Sequence, residues 1–183
     1  PHPGLGRHGL RFVPIEHVGR GQRSPEEADA VNALWHDLVG RRWRDRQGNM
    51  REIGPDDVLV VAPYNVQVNL LRETLPAGAR VGTVDKFQGQ EAAVVIISMT
   101  TSTGDDLPRD VDFLFSRNRL NVAISRARCL AVVVASPRLL EVSCSTIDQM
   151  RLVGTLCHAY EWSKGMDPRA VKWQTRAEAE IMA

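Results

Sequence analysis

The stretch RLNVAISRAR, residues 119–128, runs almost directly into the apolar segment Leu130–Ala135 and decides the fold class. Apolar residues recur in it at Leu120, Ala123 and Ala127, a spacing that predicts a short helix with one apolar face. The apolar segment that follows predicts a strand buried on both faces. A helix that leads into a buried strand is the repeating unit of an open parallel sheet.

Further strands are predicted on the amino-terminal side of this unit. They are Leu10–Ile15, Val58–Ala62, Arg80–Val84 and Ala93–Met99. Helical periodicity lies between them and again over Thr146–Trp162, where apolar residues recur every three or four positions. Strands that alternate with helices predict an α/β domain with a parallel, doubly wound sheet flanked by helices.

The start of the first long helix is marked by Ser24-Pro25-Glu26-Glu27. Ser24 fits the N-cap, and Pro25 fits the first helical position. Glu27 stands three residues after the cap, where its side chain is expected to reach back to the Ser24 amide and complete a capping box. The helix is predicted to end near Gly40.

Length and composition bound the possibilities. The chain has 183 residues, 43% of them hydrophobic, which suits one compact domain with a real core. We expect this domain to span residues 1–162 and a tail to span 163–183. The formal charge is +1, so any nucleic-acid surface must be local.

The cysteines and the hydropathy bear on location. Cys129, Cys144 and Cys157 are odd in number and widely spaced, which argues against a disulfide framework and for a reducing compartment. No stretch is apolar for long enough to span a membrane, and no metal-ligand spacing is complete. The sequence therefore predicts a cytoplasmic protein with no membrane partner and no metal site of its own.

Residues 41–56 are rich in arginine around Trp43, and Gln47-Gly48-Asn49 supplies a turn signal. One interpretation is a clamp in which the aromatic ring stacks on a nucleic-acid base. The other is a solvated hairpin, the more common outcome for a run of charge.

Polar motifs adjoin three of the predicted strands. Pro63–Gln67 follows one strand, Asp85–Glu91 follows another, and Arg119–Arg128 precedes the last. Because ligands bind at the carboxyl ends of strands in open parallel sheets, we expect the three motifs to share one face. In the helical stretch, Arg119 and Arg126 are seven residues apart and are expected on one side of the helix.

The motifs themselves resemble a known family. Val84–Glu91 resembles motif V, and Arg119–Arg128 resembles motif VI, of superfamily 1 helicases in the branch that includes the nonsense-mediated decay helicase and the Dna-type helicase-nucleases. Pro63–Gln67 resembles the preceding strand-helix motif. More narrowly, Phe113–Asn118 and Gln149–Val153 resemble bacterial members with a fused RecB-like nuclease upstream.

The resemblance implies a RecA-like domain of the P-loop NTPase fold and a role for each matching residue. Arg126 would be the arginine finger that reaches the ATP γ-phosphate, and Glu91 would contact the nucleotide. Gln88 and Gly89 would couple the state of the bound nucleotide to the binding of the nucleic-acid strand. Gly89 would also lie near the nucleotide. The implied contacts to the nucleic-acid strand come from Thr83, Gln88, Tyr64 and Gln67.

One feature of such motors is absent from these 183 residues. No Gly-Lys-Ser or Gly-Lys-Thr occurs, so there is no P-loop. ATP and Mg²⁺ are expected to be held mainly by a separate first RecA-like domain, and the fragment alone is expected not to hydrolyse ATP. The prediction is the second motor domain of an ATP-dependent DNA helicase with single-stranded DNA as partner; the alternatives are an RNA helicase, the motor of a nuclease, or a non-catalytic nucleic-acid-binding module.

Overall fold

A computed structural model describes residues 8–45, 47–103, 117–142, 144 and 147–164. The strands are β1 Gly9–Pro14, β2 Arg42–Arg44, β3 Met50–Glu52, β4 Val58–Val61, β5 Arg80–Gly82, β6 Ala92–Ser98 and β7 Ala127–Ala135. The helices are α1 Pro25–Leu38, α2 Asn65–Thr74, α3 Arg117–Ser125 and α4 Ile147–Lys164. Residues 104–116, which include most of the Phe113–Asn118 motif, and residues 165–183 of the predicted tail lie outside the described residues.

Five strands form one parallel sheet in the order β1-β7-β6-β4-β5. The two longest strands, β6 and β7, lie at its centre, with Val95 opposite Ala131 and Ile97 opposite Val133. Nearly every side chain of β4, β6 and β7 is buried, as an interior strand of a two-sided sheet requires. The predicted α/β fold with a parallel sheet flanked by helices is confirmed.

The core consists of two clusters, one on each face of the sheet. The first contains Val31, Leu34 and Leu71 from α1 and α2, packed on alternate strand residues. The second contains Leu120 from α3 and Leu156 from α4, packed on the other set. Because successive strand residues point to opposite faces, one continuous apolar strand supplies both clusters.

Helix α1 begins as predicted, but its capping box is only half formed. The Ser24 side chain accepts a hydrogen bond from the Glu27 amide at 3.2 Å. The Ser24 amide, however, donates to the side chain of Gln67 at 2.8 Å, and the Glu27 carboxylate turns into the interior. The prediction that Glu27 caps Ser24 is wrong, because the Ser24 amide donates instead to the buried side chain of Gln67 on α2.

The arginine-rich insertion forms the antiparallel hairpin of β2 and β3, with Trp43 opposite Arg51. Gly48 has a φ of 87° in its turn, a conformation that glycine adopts without strain. Trp43 packs partly buried against the first core cluster. Among the described helices, none is long and apolar enough to cross a membrane.

Candidate functional site

The predicted site residues lie at two opposite ends of the sheet. Tyr64 follows β4 and Thr83 follows β5, so both are at the carboxyl end. Glu91 directly precedes β6 and Arg126 directly precedes β7, so both are at the amino end. Seven residues of extended strand, roughly 20 Å, separate the two ends. The prediction that the three motifs share one face is therefore wrong.

The reason is the path of one segment, residues 83–91. The edge strand β5 is only three residues long, and the chain then turns through the 3₁₀ helix Asp85–Phe87. From there it runs back beside the sheet until Gln90 lies within hydrogen-bonding reach of Arg80, the first residue of β5. Motif V thus begins at one end of the sheet and finishes at the other.

Arg126 occupies a turn between α3 and β7. The helix ends at Ser125, so Arg126 lies just beyond α3, and the expectation that Arg119 and Arg126 share one side of a helix stays a prediction. Its Nη1 donates to the backbone carbonyl of Gln90 at 3.2 Å, and its own carbonyl accepts from the Ala92 amide at 3.1 Å. These bonds fix the guanidinium against the segment that carries Glu91.

The charge of Arg126 has no carboxylate partner within the part of the chain that the structure describes. Its Nε is shielded from solvent and makes no hydrogen bond there. Four other arginines do pair with acids: Arg20, Arg41, Arg51 and Arg128. An oriented arginine with unused donors suits an incoming anion, because its planar fork matches phosphate oxygens.

Glu91 is half exposed and lies beside Arg128, with 3.0 Å between its Oε2 and the arginine Nε. The pair borders a cavity of about 350 Å³ that the hairpin closes on the other side. Trp43, Asp45, Gln47 and Arg51 line that side. The hairpin therefore stands next to the amino-end cluster, a placement that the sequence did not predict.

Between the two ends lie Gln88 and Gly89, both exposed. Gln88 closes the 3₁₀ turn by donating its amide to the Asp85 carbonyl at 3.2 Å. Gly89 has a φ of 77°, in the left-handed region that favours glycine, and nothing lies within 4 Å of where a Cβ would stand. The glycine is thus required by the backbone turn and not by crowding.

Tyr64 is half-buried at the carboxyl end and packs on the second core cluster. Burial raises the pKa of its hydroxyl, against a smaller lowering by a hydrogen bond with Thr101. Thr83 is partly exposed and its carbonyl accepts from the Lys86 amide at 3.1 Å. Both residues are therefore partly accessible to solvent at this end of the sheet.

Gln67 lies elsewhere. Its side chain is fully buried, and its amide nitrogen donates to the Ser24 carbonyl at 3.0 Å and to Ser98 Oγ at 3.1 Å. Its oxygen accepts from the Ser24 amide. The prediction that Gln67 lines a strand path does not agree with this position: the residue fastens α1 and α2 to β6.

A buried polar network continues from Gln67, and the sequence did not predict it. Glu27 Oε2 accepts from Ser98 Oγ at 2.6 Å and from the Thr100 amide at 2.8 Å. His17 bridges Glu27 Oε1 at 3.0 Å and Ser102 Oγ at 2.7 Å. All five residues are at most 5% exposed. The network holds the carboxyl end of β6 to the beginning of α1.

Gln90 is a second residue whose role sequence reasoning missed. Its side-chain oxygen accepts from Arg80, and its backbone carbonyl accepts from Arg126. It thereby joins the edge strand to the amino-end cluster. The sequence feature that could have indicated this role is the position of Gln90 between Gly89 and Glu91 in the motif.

The chain is similar to known proteins. The model of the AAA domain family matches residues 16–138, which include both ends of the site. The mouse (Mus musculus) RNA helicase Mov10l1 is 33% identical over 143 residues, 73% of this chain and 11% of that protein.

Two shorter matches bear names that refer to DNA. The DNA-binding protein SMUBP-2 of Mesocricetus auratus is 39% identical over 85 residues, 45% of this chain and 8% of that protein. The DNA polymerase alpha-associated DNA helicase A of Schizosaccharomyces pombe is 44% identical over 75 residues, 39% of this chain and 11% of that protein. The chain spans about a tenth of the length of these relatives.

The names of these relatives do not mention a nuclease, and the fused RecB-like nuclease stays a prediction. The family match covers most of the sheet and both halves of the site. The chain therefore belongs to the AAA domain family and is a superfamily 1 helicase domain with a RecA-like fold.

Proposed function

We propose that this chain is the second motor domain of an ATP-dependent DNA helicase, to which it contributes an arginine finger and part of the single-strand surface. One observation carries the proposal. At the amino end of the sheet, Arg126 is fixed beside Glu91 with its positive charge unpaired among the described residues. A motor needs such a cation at the boundary with its first domain.

The residues present fit ATP as a shared ligand. Arg126 Nη2 makes no hydrogen bond among the described residues, and Glu91 is exposed and able to accept from a ribose hydroxyl. Bound between this domain and the first one, ATP would supply the phosphoryl transfer that powers movement. Mg²⁺ and the β- and γ-phosphates would be held by the first domain, because no P-loop sequence occurs in these 183 residues.

The contribution of Arg126 is electrostatic. Charge builds up on the transferred phosphoryl group in the transition state, and a fixed guanidinium stabilises it without having to reorient. An arginine finger is worth about 10³–10⁵ in rate. The Gln90 carbonyl and the turn after α3 hold Arg126, so little ordering remains to be done when the domains close.

The carboxyl end of the sheet is suited to binding a single nucleic-acid strand. Tyr64 presents an aromatic ring that is only half-buried, and Thr83 presents a partly exposed hydroxyl. Aromatic stacking and backbone phosphate contacts grip a single strand largely without regard to sequence. Gln88 and Gly89 lie on the segment that runs between the two ends, which supports a role in linking strand grip to nucleotide state.

RNA is a second candidate for the polymer. The relative that covers most of the chain among those named above is called an RNA helicase, whereas two others are named for DNA. The motor assignment is the same for both polymers. Comparing stimulation of ATP hydrolysis by oligothymidine and by oligouridine decides between them.

The experiment is ATP hydrolysis by the natural full-length protein with and without a single strand. Arg126→Ala should lower strand-stimulated kcat by about 10³-fold or more, because the transition-state charge loses its partner. Arg126→Lys should recover only part of the rate, since an ammonium cannot reproduce the fork. Binding of a fluorescent ATP analogue should change much less than kcat.

Arg138→Ala is the matched control. Arg138 is exposed on the 3₁₀ helix Pro137–Glu141, and its side chain makes no hydrogen bond or ion pair among the described residues. This variant should hydrolyse ATP at the parent rate. If Arg126→Ala hydrolyses ATP at the strand-stimulated rate of the parent, the arginine-finger assignment is rejected. If a nucleic-acid strand does not stimulate ATP hydrolysis by the parent, a non-catalytic binding module is favoured.

A further inference from the structure

A groove of about 480 Å³ lies along β5, the edge strand of the sheet. It runs between the end of α2, the turn 76–79 and the 3₁₀ helix Asp85–Phe87. Arg72, Arg80 and Lys86 line it, and no carboxylate does among the described residues. The groove is therefore positively charged on a chain whose overall charge is close to zero.

Within the described part of the chain, the hydrogen bonds of these three cations go to neutral groups. Arg72 Nη2 and Lys86 Nζ donate to the same carbonyl oxygen, that of Val81, at 3.3 and 3.4 Å. Arg80 donates to the carbonyl of Asp56 at 2.6 Å and to the side chain of Gln90. Arginines elsewhere in the described part of the chain pair with carboxylates, whereas no described carboxylate lines this groove.

Packing keeps the cations together despite their repulsion. The ring of Phe87 is buried beneath them, with Arg80 Cζ and Lys86 Nζ each 5.8 Å from its centroid. Gly82 leaves room for the lysine stem, because a Cβ at that residue would stand 2.6 Å from Lys86 Cδ. An anion with several charges would offset the repulsion that this arrangement maintains.

We infer that this groove along the edge strand β5 binds the phosphate backbone of a single nucleic-acid strand. The inference rests on the proposed function. A nucleic-acid strand is favoured as the ligand over an acidic protein because Lys86 belongs to the turn that begins at Thr83. The carbonyl of Thr83 accepts from the Lys86 amide at 3.1 Å. The groove thus continues from the carboxyl end of the sheet, where Thr83 and Tyr64 are partly exposed.

The test uses the double substitution Arg72→Gln and Lys86→Gln in the natural full-length protein. Arg80 is left intact, because Gln90 joins it to Arg126. Binding of labelled oligothymidine is measured by anisotropy over a salt series. Affinity should fall about tenfold at low salt, and the slope of log K against log salt should become shallower by about 1.4, since each phosphate contact to a single strand contributes about 0.7.

The matched control is Arg23→Gln with Arg138→Gln, which removes two exposed charges that do not line the groove. Its salt slope should equal that of the parent. A control that loses as much affinity and slope as the groove variant would mean that bulk charge is responsible, and the inference would be overturned. Melting temperatures near that of the parent verify that both variants fold.

The experiment distinguishes rejection of the groove inference from rejection of the proposed motor function. If oligothymidine stimulates ATP hydrolysis by the parent but the groove variant keeps the parent affinity and slope, the groove is rejected and the motor stands. If the parent neither binds nor responds to a strand, the motor fails, and the groove with it. If polyglutamate binds the parent and only that binding is lost in the variant, the groove takes an acidic protein and the inference is rejected.

Discussion

At the scale of single residues, the amide of Gln67 joins segments that are far apart in the chain. It bonds both backbone groups of Ser24, 43 positions upstream, and the hydroxyl of Ser98, 31 positions downstream. A buried polar group must find such partners or lose the free energy of its hydration. Gln67 therefore stabilises the domain and is not a ligand contact.

Gln67→Leu should destabilise the chain by about 1–3 kcal/mol. Leucine fills a similar volume but leaves the buried Ser24 amide without the acceptor it now uses. Urea unfolding followed by circular dichroism measures the change. Gln88→Leu, at an exposed amide, should change stability by less than about 0.5 kcal/mol. Equal stability of the Gln67 variant and the parent would contradict the structural role.

Thr100 shows the same network from its other end. Its φ is 75°, in the left-handed region that β-branched residues avoid, and its amide is held by Glu27 at 2.8 Å. Such a conformation costs about 1–3 kcal/mol and persists where the surroundings impose it. The buried network thus fixes the direction in which the chain leaves β6.

At the scale of elements, the hairpin of β2 and β3 depends on the carboxylate of Asp45. It accepts from the amides of Gln47 at 3.0 Å and Asn49 at 2.8 Å and pairs with Arg51 at 3.2 Å. Partial burial raises the pKa of Asp45, but the hydrogen bonds from Asn49 and Gln47 and the charge of Arg51 outweigh it, so the net shift is downward.

Because the pKa of Asp45 is lowered in the folded protein, the hairpin is predicted to open at acidic pH. A carboxylate with a lowered folded-state pKa stabilises its element above the unfolded value, about 3.9, and the stabilisation is lost as pH falls through the folded value. The indole NMR signal of Trp43 should therefore shift as pH is lowered below about 4. Asp45→Asn should show the acid-type signal already at neutral pH.

Asp56→Asn is the control for this titration, because Asp56 is exposed and only its backbone carbonyl is engaged. Its indole signal should follow that of the parent at every pH. A parent signal that stays constant down to the point of global unfolding would show that Asp45 does not hold the hairpin.

The elements were predictable where burial decides them. A continuous apolar run can be satisfied only by an interior strand, so the predicted bounds of β4, β6 and β7 agree with the structure to within three residues. The path of residues 83–91 was not predictable, because it depends on Phe87 packing beneath the edge strand. The partners of Glu27 could not be predicted either, since Ser98 and Thr100 lie 71 and 73 positions away.

At the scale of the whole molecule, the sheet separates two candidate binding regions. Glu91 and Arg126 lie at the amino end, and Tyr64 and Thr83 lie at the carboxyl end. Both faces of the sheet are covered by packed helices, so the interior is a poor place for large movement. Residues 83–91 run from one region to the other, and we expect communication between the regions to follow them.

Gly89→Ala tests that expectation. The φ of 77° makes alanine cost about 1–2 kcal/mol locally, while the space around the site leaves it without a clash. The segment should therefore relax to another backbone path, and stimulation of ATP hydrolysis by a single strand should fall several-fold in the natural full-length protein. Affinities for the strand and for a fluorescent ATP analogue, measured separately, should change little.

Gly48→Ala separates coupling from simple backbone strain. Gly48 has a similar φ of 87° and equally open surroundings, but it belongs to the hairpin turn and not to the segment 83–91. It carries the same conformational penalty, so its stimulation should match that of the parent. If both glycine variants lose stimulation equally, the loss comes from general destabilisation, and the segment 83–91 is not the connection between the two ends.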